Sequence, residues 1–213
     1  MAKLKESVIG VLIGKIGQVV GAKWKGISVL RVKSASVANP QTDKQLTQRM
    51  KFKVTIKFLQ PMTQLLRIGW RNFAVGQTAF NAAMSYNILN AIQGTYPNFT
   101  VDYPNALVSK GNLPPALNQA AASTVAGTVL FTWTDNSDEM GAATTDTSLL
   151  VVYNPTKNQA VFFAGLAERI TGTQAVTVPH SFSGDLVHCY MGFQSVEGFD
   201  LSNSKYAGAI TVA

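Results

Sequence analysis

The sequence predicts a mainly β protein in two parts: a basic N-terminal region of β-hairpins and helices over residues 1–110, and an immunoglobulin-like (fibronectin-like) β-sandwich over residues 111–213. Short β-prone runs separated by glycines precede residue 34, and apolar or alternating runs recur after residue 127 at the spacing typical of a sandwich. Helical periodicity lies between them. A chain of 213 residues can bury a core without disulfides, and its single cysteine excludes an internal one.

The N-terminal region is rich in glycine and in β-prone residues. Its glycines separate short strands at Val19-Val20, Trp24 and Ile27–Val32, which we predict to form a meander with tight turns. The sequence Gly14-Lys15-Ile16-Gly17 resembles a phosphate-binding loop only in part. Such a loop needs four residues between its glycines and a Ser or Thr after the lysine. Here three residues separate Gly10 from Gly14, and Ile16 follows Lys15, so we exclude a nucleotide triphosphatase.

The middle region contains two candidate helices. Thr42 and Gln45 have the spacing of a capping box, which opens a helix. Residues 42–59 nevertheless fit both structures, because their apolar side chains alternate with lysines as in a strand and also recur every four residues as in a helix. The capping box favours a helix. Residues 78–92 present one apolar helical face, and Gly94 is expected to end that helix.

The C-terminal part is predicted to be a succession of strands. A strand is expected over residues 99–109 and a loop over residues 111–115. About seven strands in this length are typical of an immunoglobulin-like sandwich. The remaining predicted strands are residues 128–134, 148–153, 159–166, 175–178, 186–194 and 206–212.

Four residues in these strands have predicted places. Trp133 is expected to anchor the core, and Tyr190 to form a tyrosine corner. His188 falls on the strand face opposite its apolar neighbours, so we expect it at the surface or at an edge of the sandwich. Cys189 alternates with apolar residues and is expected to be a small buried hydrophobe.

Charge is unevenly distributed along the chain. Residues 1–71 hold 14 basic side chains and two acidic ones, whereas residues 72–213 hold four basic and nine acidic ones. A basic half allows contact with nucleic acid or another anionic surface. The same asymmetry allows the basic half of one copy to meet the acidic half of the next, as in rings and filaments. A third interpretation is two solvated surfaces without a partner.

The first residues imitate a secretory signal peptide without completing one. Lys3 and Lys5 precede an apolar run over residues 8–13. Lys15 and Gln18 interrupt that run, which is too short to cross a bilayer. We expect cytoplasmic synthesis, no cleaved signal and no membrane insertion.

Candidate catalytic and metal-binding groups are few. His180, Ser181, Ser183 and Asp185 lie close in sequence, but there is no Gly-x-Ser-x-Gly elbow and no distant acid to orient a base. Two histidines and one cysteine cannot supply a zinc site, and the acidic residues 135–139 lack the spacing of a calcium loop. We expect no enzymatic activity, no cofactor and no bound metal.

Basic and aromatic side chains are interleaved in the N-terminal region, as in proteins that bind single-stranded nucleic acid. The alternative is that these lysines keep β-edges and a helix soluble. The candidate contacts with a partner or with nucleic acid are Lys23, Trp24, Lys25, Arg31, Lys33, Arg49, Lys51, Lys53 and Lys57.

Several short motifs, taken together, are distinctive. They are Gly14-Lys15-Ile16-Gly17, Trp24-Lys25-Gly26, Asn39-Pro40-Gln41-Thr42, Gln48-Arg49, Ser85-Tyr86-Asn87, Gly94-Thr95-Tyr96-Pro97-Asn98, Val152-Tyr153-Asn154-Pro155, Arg169, Ser183-Gly184-Asp185, His188 and Ser202-Asn203-Ser204. The combination resembles a family of uncharacterised bacterial proteins of about this length, some of them in phage-like elements, and covers essentially the whole chain. The resemblance implies small non-enzymatic proteins with a β-rich C-terminal half, and it brings no catalytic residues.

We expect a non-enzymatic structural or assembly protein that self-associates, as a component of a virion or particle does. The alternative is a binding module, which would bind nucleic acid through the basic half or act as a surface adhesin through the sandwich loops. Glycine-rich N-terminal strands can add to the sheet edge of a neighbour.

Overall fold

The computed structural model describes residues 2–4, 12–36, 39 and 41–213. Predictions that involve residues 5–11, 37–38 and 40, among them the signal-like apolar run as far as residue 11, lie outside the described residues. The chain divides into two compact units, Met1–Asp43 and Lys44–Ala213. The boundary predicted at residues 110 and 111 falls within the second unit.

The first unit is an antiparallel sheet of four short strands. Their order across the sheet is β1-β4-β3-β2. Strands β3 and β4 are joined by the two-residue turn Lys25-Gly26, and both residues have positive φ, as a type I′ hairpin turn requires. The strands are β1 (Ala2–Leu4), β2 (Gly14–Ile16), β3 (Val19–Trp24) and β4 (Ile27–Val32).

Three helices follow this sheet along the chain, α1 (Asp43–Leu59), α2 (Thr63–Gly69) and α3 (Ala79–Asn90). Residues 42–59, which fitted both structures, are helical from Asp43 onwards, and the buried residues Thr55, Phe58 and Leu59 are three and four positions apart, as on one face of a helix. The hydroxyl of Thr78 caps α3 by accepting a hydrogen bond from the Asn81 N–H at 3.1 Å.

A hairpin follows α3, and two predictions for this segment are wrong. It consists of β5 (Ile92–Thr95) and β6 (Asn98–Val101). Gly94 does not end α3, which stops at Asn90; with φ of 100° it lies inside β5, close to the Asn98 carbonyl. The strand predicted over residues 99–109 ends at Val101, because a short 3₁₀ turn at Tyr103–Asn105 interrupts it.

The remaining strands form a β-sandwich of two antiparallel sheets. One sheet has the order β11-β8-β7 and the other the order β10-β9-β12-β13. The predicted strands are found with small shifts at their ends, and β7 was not predicted. The strands are β7 (Leu117–Ala122), β8 (Thr128–Thr134), β9 (Thr147–Asn154), β10 (Gln159–Glu168), β11 (Thr173–Thr177), β12 (Leu186–Gln194) and β13 (Lys205–Thr211).

The two central strands of the second sheet, β9 and β12, are buried on both faces. One face packs against the other sheet through a core that includes Phe131 and Met191. The opposite face packs against the helices, where Phe58 and Leu65 lie in one cluster with Tyr190. Both strands are therefore buried over nearly their whole length.

The helical layer explains one wrong prediction among the strand residues, and the sandwich core explains one that is confirmed. The surface or edge position predicted for His188 is wrong. His188 is only 8% exposed, because the helices cover the face of β12 on which it lies. Cys189 points into the sandwich core and is buried as predicted. Burial raises the pKa of its thiol to about 12.

Of the two predictions about aromatic residues, the one for Trp133 is confirmed and the one for Tyr190 is wrong. Trp133 anchors the core as predicted: it is buried, and its indole N–H donates to the Arg169 carbonyl at 2.7 Å. Tyr190 does not form a tyrosine corner, because its hydroxyl donates to the distant Tyr103 carbonyl at 3.0 Å. None of the described helices is long and apolar enough to cross a membrane.

Candidate partner interface

The strand register of the first unit places basic and apolar side chains on one face of its sheet. Lys15, Val20 and Arg31 lie in one row across three strands, and Trp24 lies opposite Ile27 in another. Ala22 and Val29 form the row between them. We call this surface the Trp24 face; it comprises Lys15, Val20, Ala22, Trp24, Ile27, Val29 and Arg31.

The Trp24 face exposes large apolar side chains. The exposed fraction is 57% for Trp24 and 42% for Ile27. Among residues 12–32, only Gly21 and Ser28 are buried, and both lie on the opposite face of the sheet. The described part of this sheet thus buries very little apolar surface of its own.

The other predicted contact residues fall into separate places. Lys23 lies on the face opposite Trp24, Lys25 occupies the hairpin turn, and Lys33 follows β4, where its N–H donates to the Gln18 carbonyl at 2.7 Å. These lysines are close to Trp24 and Arg31 in the sequence. In the sheet they lie elsewhere, because successive side chains of a strand point to opposite faces.

Helix α1 carries the remaining predicted residues. Arg49, Lys53 and Lys57 are four residues apart and exposed, so they follow one side of the helix, together with the exposed Phe52. We call these four residues the α1 stripe. Lys51 is not part of it, because its ammonium lies over the Phe99 ring, 5.3 Å from the centroid.

An acidic loop lies between β8 and β9. Asp135, Asp138 and Glu139 are exposed, and the adjacent Met140 is fully exposed. No group of three or more metal-ligating side chains occurs among the described residues. The loop therefore combines negative charge with an apolar side chain.

The sequence cluster around His180 is divided in the structure: His180 and Ser183 line one pocket, whereas Asp185 is engaged by other side chains. The Asp185 carboxylate accepts hydrogen bonds from the Lys157 ammonium and from the Asn154 amide. These bonds, led by that from Lys157, lower the pKa of Asp185. The carboxylate thus joins the β9–β10 turn to the start of β12.

Sequence reasoning gave no role to Arg169, which is completely buried. Its guanidinium donates to Asp146 at 3.0 Å, to the Asn136 amide oxygen at 2.7 Å and to the Pro114 carbonyl at 3.0 Å. It also lies over the Phe193 ring at 3.9 Å. The guanidinium therefore ties the acidic loop and the segment before β7 to the sandwich.

His188 belongs to a cluster of aromatic rings between the central sheet and the helices. Its ring stacks on Tyr103 with centroids 3.5 Å apart, and its Nδ1 lies 2.8 Å from the Tyr206 hydroxyl. Burial lowers the pKa of His188 to about 4, so the imidazole is neutral near pH 7. Because neutral imidazole can donate and accept, either tautomer fits this contact.

Acidification is expected to destabilise the fold through His188. The unfolded residue has a pKa of about 6.5, above the folded value of about 4. Between these values the unfolded chain binds a proton that the folded chain does not, so the free energy of unfolding falls as the pH drops. We expect the free energy of unfolding of wild type to fall by about 2–3 kcal/mol over this pH range. Urea denaturation of wild type and of His188→Gln at several pH values measures the loss. Equal pH slopes for the two proteins would contradict this assignment.

Residues 11–208 match a family of unknown function (DUF6266), which confirms the resemblance. No curated protein matches the chain. Among solved structures, the chain is similar to the fn3 domain of human collagen alpha-1(XX) chain, with 11% identity and a TM-score of 0.37. That similarity covers 48% of this chain and 88% of the collagen domain.

Proposed function

The chain belongs to the DUF6266 family of unknown function, and we propose that it is a non-enzymatic structural protein that self-associates, as the components of a virion or particle do. The Trp24 face of one copy binds the acidic loop of the next. The observation that carries this proposal is the exposure of Trp24 and Ile27 on a sheet in which, over residues 12–32, only Gly21 and Ser28 are buried.

The size of the first unit favours association. Units near ~40 residues usually need disulfides, metals or oligomerisation, because they bury too little of their surface. The single cysteine of the chain, Cys189, lies outside this unit. Burying Trp24 and Ile27 against a second copy would remove apolar surface from water, which is the main favourable term in association.

Charge complementarity supports a second copy as the occupant. Residues 1–43 hold seven basic and two acidic side chains, and Lys15 and Arg31 flank the apolar centre of the Trp24 face. The acidic loop offers three carboxylates beside Met140. This contact joins two different surfaces, so repeating it generates a ring or a filament.

The strand order of the sandwich indicates where the acidic loop lies. We interpret the sandwich as immunoglobulin-like, because the order β11-β8-β7 facing β10-β9-β12-β13 corresponds to strands E-B-A facing C′-C-F-G. In this interpretation the acidic loop joins strands B and C at one end of the sandwich.

Charge reversal tests the proposed contact. The variant Lys15→Glu/Arg31→Glu changes two exposed residues, and we expect it to weaken self-association at least about tenfold, since each 1.4 kcal/mol lost is tenfold. The variant Asp135→Lys/Asp138→Lys is expected to do the same. Sedimentation velocity over a range of concentrations measures both.

Combining the two charge-reversed variants tests the proposed contact most sharply. Mixing the Glu variant with the Lys variant, or placing all four changes in one chain, is expected to restore association because the charges again oppose each other. The matched control is Lys205→Glu, an exposed lysine on β13. Association that survives both reversals, or that the control weakens equally, would refute the contact.

A nucleic-acid-binding function is the second candidate, and the α1 stripe favours it. Three cations at helical spacing beside the exposed Phe52 offer phosphate contacts together with a stacking surface. Binding of single-stranded DNA would then weaken steeply with salt. Replacing Lys53 and Lys57 by Gln would reduce the salt slope, whereas the reversal at Lys15 and Arg31 would not.

A further inference from the structure

A pocket beside α2 and α3 has aromatic walls and one cation. Its volume is about 310 Å³, and Trp70, Phe73 and Tyr86 line it together with Lys110. The Lys110 ammonium lies 4.8 Å from the centroid of Phe73, 5.2 Å from that of Tyr86 and 5.8 Å from that of Trp70. We propose that this pocket binds a small anion that carries a planar aromatic ring.

The backbone holds Lys110 in this position. The Lys110 N–H donates to the Gly69 carbonyl at the end of α2, at 2.9 Å. A Cβ at Gly69 would lie 2.7 Å from the Val108 carbonyl oxygen, so only glycine lets the segment before Lys110 approach the helix this closely. These contacts fix the backbone of Lys110 beside the rings, and its side chain reaches over them from that point.

The rings are held against one another. Trp70 and Phe73 have centroids 6.0 Å apart at 66°, and Trp70 and Tyr86 have centroids 5.7 Å apart at 51°. Trp70 is buried, and its indole Nε1 is the one buried side-chain nitrogen or oxygen in the described part of the chain without a hydrogen-bond partner. A pocket wall that is already ordered reduces the entropy lost when a ligand binds.

The charge of the pocket selects an anion. The Lys110 ammonium offers three donors, and the salt bridges found among the described residues, Lys157–Asp185 and Arg169–Asp146, do not include it. Lys110 already occupies the cation-binding position over the rings, so a second cation would be repelled. A carboxylate or phosphate would pair with the ammonium.

The walls of the pocket select a planar ring. Leu89 is an exposed apolar residue at the pocket, and Tyr86 is partly exposed beside it. Polar side chains of Gln77, Ser85 and Asn90 complete the lining. This combination of aromatic surface with a few polar groups is typical of small-molecule sites. The site lies within the second unit and is independent of the proposed self-association.

Ligand titration tests the site. The probes are benzoate and phenyl phosphate, with cyclohexanecarboxylate and benzyltrimethylammonium as comparisons, and binding is followed by ¹⁹F NMR of protein labelled with 5-fluorotryptophan. We expect benzoate, phenyl phosphate or both to shift the Trp70 resonance with a Kd of about 1 mM or below. Binding of benzoate alone assigns a carboxylate, and binding of phenyl phosphate alone assigns a phosphate.

The Lys110→Met variant tests the role of the ammonium, since methionine keeps an unbranched side chain and removes the charge. We expect it to weaken binding at least about tenfold, because a hydrogen bond to a charged group is lost. Lys205→Met is the matched control and should bind as wild type does. Three results would each overturn the proposal: no shift with either anion, equal binding by Lys110→Met, or tighter binding of cyclohexanecarboxylate or benzyltrimethylammonium than of the aromatic anions.

Discussion

Replacing Arg169 by Met is expected to lower the free energy of unfolding by about 3–5 kcal/mol, because it leaves the charge of Asp146 without its partner in the interior. Arg169 is completely buried, and its guanidinium bonds to Asp146, Asn136 and Pro114. The methionine fills much of the volume but satisfies none of these three acceptors. Urea denaturation followed by circular dichroism measures the loss.

Two further variants separate the buried charge from lost packing. In Asp146→Leu/Arg169→Met both charges are absent, so we expect the double variant to be more stable than Arg169→Met alone. Lys157→Met removes the exposed partner of Asp185 and is expected to change the midpoint far less. A double variant no more stable than Arg169→Met would show that packing, not the unpaired charge, dominates.

Replacing Asn87 by Ala is the second large change and is expected to destabilise the fold by about 3–5 kcal/mol. The buried Asn87 amide donates to the Leu107 carbonyl at 2.9 Å and accepts from the Leu107 N–H at 3.0 Å. It also donates to the Ala83 carbonyl at 2.9 Å. Each buried group left unpaired costs about 1–3 kcal/mol.

Asn90 on the same helix provides the matched control. Its amide is exposed and donates to the Tyr86 carbonyl at 2.8 Å. Asn90→Ala removes the same side chain from α3 without leaving a buried backbone group unpaired, and we expect a change within about 0.5 kcal/mol. Similar losses for the two variants, measured by thermal and urea denaturation, would argue against the role assigned to Asn87.

The sandwich strands could be predicted because their apolar patterns are strong and local. Strands β8 and β12 lie where predicted, at Thr128–Thr134 and Leu186–Gln194. Strand β7 was missed because the run of alanines that ends it has low β-propensity, and pairing with β8 determines its structure. His188 was misplaced because nothing in the pattern of β12 reveals that helices cover its second face.

The candidate sites were predictable only in part, for a geometric reason. The sequence identified Trp24 and Arg31 as contact residues, but the strand register is needed to place Lys15 on their face and Lys23 on the other. The Lys110 pocket could not be predicted, because its rings and its ammonium come from separate segments that only the packing brings together.

Static light scattering on nuclease-treated protein during size-exclusion chromatography tests the central claim, self-association through the Trp24 face, most directly. We predict species larger than the 22.9 kDa monomer, with a mass that rises with protein concentration and falls at high salt, because opposite charges contribute to the contact. Trp24→Ser/Ile27→Thr should shift the distribution towards the monomer while leaving the thermal unfolding of the second unit unchanged. A monomer at every concentration and salt, in wild type and variant alike, would contradict the account.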